Sequence, residues 1–191
     1  MYRIDYTPYK IKDWVYTHYL NTFWRSLSEN HNSIKLLEKN PDKICWKWLS
    51  GNPNAIHLLE EIISIDINKI DWKVLSANPN AVHLIEKNFD ECKDKLDWEI
   101  LSANPNAVHL LKENLDKIDW YQLSANENAI DFIEKNQDKI CWGWLSFNPN
   151  AIHLIEKMIS IDNNAICWNY LSKNKNAIHL LEKMISIDIN K

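Results

Sequence analysis

Residues 75–84 read LSANPNAVHL, and residues 101–110 read LSANPNAVHL again, 26 positions further on. A serine, a histidine and two asparagines are the material of a duplicated site, or of a structural element that every copy needs. The surrounding chain favours structure. Trp24, Trp46, Trp72, Trp98, Trp120, Trp142 and Trp168 follow one another at intervals of 22, 26, 26, 22, 22 and 26, and each opens the unit W-x-x-L-S-x-N-x-N-[AS]-[IV]-x-[LF]-[LI]. Residues 24–191 are therefore seven tandem repeats, and repetition at this period marks a solenoid, in which each unit buries its apolar face against the next. Residues 1–23 fall outside the pattern and are rich in tyrosine, which fits an N-terminal cap.

Composition is compatible with a continuous core, since 46% of the 191 residues are apolar. Charge is mixed, 22 Lys plus Arg against 26 Asp plus Glu for a net of −4, with no block of one sign to hold a polyanion. Apolar runs are short, so no membrane span is expected, and MYRIDYTPYKIK lacks the apolar segment of a secretory signal. Four cysteines without a C-x-x-C pair, and no N-x-S/T sequon, point to a reducing, cytoplasmic compartment. Two glycines in the whole chain argue against phosphate-cradling loops, whereas asparagine occurs 24 times.

The second half of each unit has helical periodicity. In residues 55–63, AIHLLEEII, the positions Ala55, Ile56, Leu58, Leu59, Ile62 and Ile63 fall on one arc, with His57, Glu60 and Glu61 opposite. Asn54 stands where an N-cap is expected. The two unit lengths differ by 4, close to one helical turn of about 3.6 residues, so long units extend this helix with its apolar face nearly in phase. The first half fits a short helix from Trp72 to Leu75, with Asp71 as its cap and Asn78 ending it in the left-handed conformation. The alternation of Ile70, Trp72 and Val74 also fits a strand. The expected fold is all-α, an α-solenoid of two short helices per repeat; the alternative is an α/β horseshoe of the leucine-rich-repeat kind.

The copies provide an internal comparison. A residue needed for stacking must recur in every unit, whereas an active site needs to occur once. The tryptophans, and the asparagine pairs such as Asn78 with Asn80 and Asn104 with Asn106, hold in all seven units, as do the leucine and the serine. The tryptophan column is expected in the core, where an indole removes roughly 150–250 Å² from water. The Ser and Asn columns are expected to cap turns and to bond between repeats. The histidines His57, His83, His109, His153 and His179 lie on the polar face, and Lys35 and Asp131 occupy the same column, so neither a metal ladder nor a Ser–His catalytic pair is expected. Cys45, Cys141 and Cys167 alternate with Asp71, Asp97 and Asp119 in one column, which suits a cap or a semi-buried position. No catalytic residue, metal or cofactor is assigned.

Function then belongs where the copies differ. The residue after Trp reads Lys47, Lys73, Glu99, Tyr121, Gly143, Asn169, and the residue after Ser reads Gly51, Ala77, Ala103, Ala125, Phe147, Lys173. Interchangeable positions on a constant frame are how repeat proteins build binding surfaces. Candidate contact residues are Phe147 on its turn beside Trp144, with Lys173, Tyr121, Ala77, Lys73 and Glu99. The last unit shows no polar capping repeat, with Met184, Ile185, Ile187 and Ile189 close to its end, so self-association through it is a further expectation.

The units KIDWKVLSANPNAVHLIEKN (69–88) and KICWGWLSFNPNAIHLIEKM (139–158) resemble the tandem Trp/Asn repeats of proteins from giant viruses of amoebae, the mimivirus-like group. The Asn-, Ile- and Lys-rich composition is similar to that of their AT-rich genomes. The resemblance covers residues 24–191 and implies a viral protein in the cytoplasm of the host cell; it carries over no catalytic residue. Together these readings lead to a non-enzymatic protein-interaction scaffold with a host or viral protein as partner. The alternative is a modular reader of single-stranded RNA, which needs a basic stripe that the sequence lacks.

Overall fold

The computed structural model describes the backbone of residues 13–189 and the side chains of residues 19–186. Every regular element among the described residues is a helix. The all-α array of short tandem helices is thereby established, and the horseshoe with its strands is set aside. By internal contacts the chain divides into two units, Met1–Asp71 and Trp72–Lys191.

The first unit opens with the 17-residue helix Asp13–Glu29, which runs without a break across the boundary between cap and array. Residues 1–12 of the cap lie outside the described residues. Two repeats follow, each built from a tryptophan-led segment, a turn through the paired asparagines and a second helix. That second helix is Ile34–Glu38 in the short repeat and Ile56–Asp66 in the long one. The extra residues of a long repeat are added as helix.

The second unit repeats the plan five times. Its tryptophan-led helices are Trp72–Ser76, Trp98–Ala103, Trp120–Ala125, Trp142–Leu145 and Trp168–Leu171. The second helices of its short repeats, Val108–Lys112 and Ile130–Glu134, have 5 residues each, and that of the long repeat, Ile152–Ile161, has 10. In the other long repeat the added residues form a separate turn, Phe89–Cys92, after Val82–Lys87. In most repeats a 3-10 turn such as Leu115–Lys117 or Asn163–Ala165 then leads to the next tryptophan.

The core is narrower than the sequence suggests. Its fully buried positions include Leu49, Leu75, Leu101, Leu123, Leu145 and Leu171 from the first segments, Leu37, Leu59, Ile85, Leu111, Ile133 and Ile155 from the second helices, and the alanines Ala55, Ala81, Ala107, Ala129, Ala151 and Ala177. The tryptophan column does not belong there as a whole. Trp72 is 3% exposed, but Trp24, Trp46, Trp98, Trp120, Trp142 and Trp168 are half-buried. All but Trp24, which lies within the helix Asp13–Glu29, stand at the first position of short helices, where an indole can cover a neighbour without being enclosed. Trp120 stacks on Phe132 at 5.8 Å between ring centroids, and Trp98 meets Phe89 edge-on at 6.3 Å.

Two capping expectations are corrected. Asn54 is not the N-cap of its helix: that place is held by Ala55, which makes no side-chain cap bond. Asn78 does not enter the left-handed region, since it lies at φ −82° and ψ 110° and no described residue has positive φ. The turn is extended, and hydrogen bonds hold it in place of a left-handed cap. The aspartate column does cap: Asp97 and Asp119 accept from the backbone N–H groups of Ile100 and Gln122. Cys45, Cys141 and Cys167 stand at the same N-cap position with no side-chain cap bond.

Candidate functional site

The invariant polar residues form a ladder between consecutive repeats. The first asparagines Asn52, Asn104, Asn126, Asn148 and Asn174 are buried, and each donates twice through Nδ2 to carbonyls of the preceding repeat. Asn126 donates to Ser102 O at 3.0 Å and to Asn104 O at 3.0 Å, and Asn148 to Ser124 O at 3.1 Å and Asn126 O at 2.8 Å. Its Oδ1 accepts from the backbone N–H two residues on, as Asn150 N to Asn148 Oδ1 at 2.9 Å. Within the first unit Asn52 does the same to Ser28 O and Asn30 O at 3.0 and 3.1 Å.

Each serine works in the other direction. Ser124 Oγ donates to Trp120 O at 2.7 Å and accepts from Cys141 N of the following unit at 3.1 Å. Ser76 Oγ likewise donates to Trp72 O at 2.8 Å and accepts from Asp97 N at 3.1 Å. This hydroxyl is committed on both sides to backbone groups. Ser172 is the exception that shows the cause. With no further unit against it among the described residues, it is exposed and donates to Asn169 O at 2.9 Å.

The second asparagines, Asn80 and Asn106 among them, are exposed and not core. Their side chains still act, because they reach back over the turn. Asn106 Nδ2 donates to Pro79 O at 2.8 Å, and Asn128, Asn150 and Asn176 donate to Pro105 O, Glu127 O and Pro149 O at 3.0, 2.8 and 2.8 Å. The carbonyls of the turn edge are thereby occupied.

The histidines form an exposed ladder with glutamates of the preceding second helix. His57 meets Glu38 at 2.9 Å, His153 meets Glu134 at 2.5 Å, His179 meets Glu156 at 3.1 Å, and His109 meets Glu86. No group of three or more His, Cys, Asp or Glu side chains among the described residues is placed to hold a metal ion.

The variable positions gather on the turn edge of the second unit. Ala103, Ala125, Phe147 and Lys173, the residues after serine in four consecutive repeats, line one open groove of about 380 Å³. Between them stand Pro105, Glu127, Pro149 and Lys175, the residues between the paired asparagines. Phe147 is 48% exposed and meets Tyr170 edge-on at 6.4 Å, while half-buried Trp144 lies behind with its ring 5.5 Å from the same Tyr170. Phe147 and Lys173 therefore share a surface, and Trp144 supports it through Tyr170.

The other candidate contact residues do not line this groove. Tyr121 is 60% exposed, and Ala77, Lys73 and Glu99 are exposed as well, with Glu99 accepting from Gln122 Nε2 at 3.4 Å. The between-asparagine column and Tyr170 are the contributors that sequence reasoning missed. The signal was present, since this column carries Pro, His, Glu or Lys where its neighbours do not change.

A larger hollow of about 530 Å³ lies in the first unit against Trp46, Leu58, Ile62 and Ile65. Much of its charged rim is already engaged: His57 pairs with Glu38, and Lys69 lies 5.9 Å over the Trp46 ring. No described helix is long and apolar enough to cross a membrane. Comparisons with protein-family models, curated proteins and solved structures find no match to this chain.

Proposed function

We propose that this chain is a non-enzymatic protein-interaction scaffold that holds a partner in the turn-edge groove of its second unit. The carrying observation is the division of labour in the repeat. Serine and asparagine are engaged in stacking, while the freely exchanged positions Ala103, Ala125, Phe147 and Lys173 converge on one groove. A surface that varies on a frame that does not is suited to recognition, and Phe147 is its aromatic anchor. The viral origin and host-cytoplasmic setting rest on the resemblance of the repeats.

The test is affinity purification of the tagged chain from infected amoebae, followed by mass spectrometry, beside its Phe147→Ala variant. Proteins recovered with the parent and lost with the variant support the scaffold. Recovery of RNA in place of protein favours the RNA reader. Self-association is a companion reading supported by Ile178 and Ile185, both exposed on the helix Ile178–Ile189. Light scattering of a strictly monomeric protein at high concentration counts against it.

A further inference from the structure

Resting on the scaffold reading, the charges of the groove define the chemistry of its occupant. Glu127, Phe147, and Lys173 with Lys175 belong to three consecutive repeats and line the groove in that order. All four are exposed, and Glu127, Lys173 and Lys175 make no ion pair among the described residues. A carboxylate thus stands on one side of the aromatic anchor and two ammonium groups on the other, all free to bind a partner.

The backbone does not compete for this role. The carbonyls of Pro105, Glu127 and Pro149 already accept from Asn128, Asn150 and Asn176. Recognition is therefore by side chains, not by pairing a strand onto the edge. Packed helices stand about 8–10 Å apart and an extended chain rises about 3.3 Å per residue, so one repeat spans about three peptide residues.

We propose that the groove binds an extended peptide segment of a partner protein with a dipolar order of side chains. The segment places a basic residue against Glu127, an apolar or aromatic residue on Phe147 about three residues away, and acidic residues against Lys173 and Lys175 about three residues beyond. A nucleic-acid strand fits less well, because Glu127 repels its phosphates and the chain carries a net charge of −4.

The test uses fluorescence anisotropy with the full chain and two labelled peptides of identical composition, KSGFSGEE and the permuted FGKESEGS. The first is expected to bind at least about tenfold more tightly than the second, since only it sets opposite charges on either side of the ring. Replacing both Lys173 and Lys175 by Glu should abolish that preference, and the peptide KSGFSGKK, which sets lysines against the two new carboxylates, should bind that variant more tightly than KSGFSGEE does. Lys157→Glu, an equal change of charge outside the groove, should leave it intact.

Equal binding of the two peptides, no binding of KSGFSGEE, equal weakening by Lys157→Glu, or displacement by an oligouridylate would each overturn the proposal. The scaffold reading is judged separately. Proteins that depend on Phe147 in the affinity purification but survive reversal of both lysines sustain the scaffold and refute the dipolar segment.

Discussion

At the scale of single residues, the buried asparagine is the most exacting position in the repeat. Asn148 makes two donated bonds and one accepted bond at full burial, in a column where no other side chain provides both functions. Asn148→Ala leaves Ser124 O and Asn126 O without that donor, and an unmet buried polar group costs about 1–3 kcal/mol. The substitution should therefore lower stability by about 2–5 kcal/mol in urea unfolding, whereas Asn150→Ala, which removes an exposed bond, should cost about 1 kcal/mol or less. Equal losses at the two positions would refute the division between a buried ladder and an exposed clasp.

Cys92 offers a second test at this scale. It is fully buried, its thiol donates to Ile85 O at 3.6 Å, and burial first, then the charge of Glu91, pushes its pKa up from 9.0 to about 11. The folded state therefore keeps a proton that the unfolded state releases, and the sign follows. Its contribution to stability is complete below about pH 9 and is lost as pH rises towards about 11. Unfolding midpoints should fall over that window in the parent and fall less in Cys92→Val. In the folded protein at pH 8, Cys92 should also resist a thiol reagent that reaches half-buried Cys45, Cys141 and Cys167.

At the scale of the element, short helices depend on their ends because they have so little interior. Asp97 and Asp119 cap theirs, while Cys141 holds the same position at φ −90° and ψ 90°, close to the −82° and 104° of Asp119, without a cap bond. Cys141→Asp should then add a cap worth about 0.5–1 kcal/mol, read as a raised midpoint in thermal unfolding. An unchanged or lowered midpoint would show that the half-buried thiol contributes packing that a carboxylate cannot replace. The second helices should tolerate removal of a turn. Deleting residues 158–161 shortens the helix Ile152–Ile161 and brings Asp162, which starts the 3-10 turn Asn163–Ala165, to the place Asn136 holds before Gln137–Lys139 in a short repeat. The deletion variant should remain helical by circular dichroism and unfold in one cooperative step; loss of cooperativity would mean that repeat length is set by the neighbours.

At the scale of the whole molecule, the two compact units Met1–Asp71 and Trp72–Lys191 are built from one motif but differ in what they expose. The second unit carries the groove with its aromatic anchor and unpaired charges, whereas the hollow of the first has much of its charge already engaged. With a net charge of −4 and no basic stripe, the chain should not retard single-stranded oligouridylate in a gel at moderate salt. A shift that weakens steeply as salt rises would reinstate the RNA reader.

Repetition is what made this fold legible before any coordinates. A residue that recurs in seven copies must serve what the copies share, so the sequence alone determined the repeat period, the helix in the second half of each unit, the structural roles of serine and asparagine, and the solvent-facing histidines, while the first half stayed open between helix and strand. It also marked Phe147 and Lys173 as positions released from that duty. Other matters depended on contacts between residues 17–28 positions apart, which no local pattern encodes. Tertiary structure alone decided that the repeat tryptophans other than Trp72 cover the core without entering it, and that the first asparagine is buried, from Asn52 onwards, while the second is not. It also decided that Ala103, Ala125, Phe147 and Lys173 form a single surface. The physical reason lies in the stacking itself. Trp recurs in all seven units and Ala in six, with Ser33 in the first, yet Ala151 is enclosed and Trp142 is only half-buried, because a methyl group fills a small gap in a close-packed interior whereas an indole at the first position of a short helix extends past its edge.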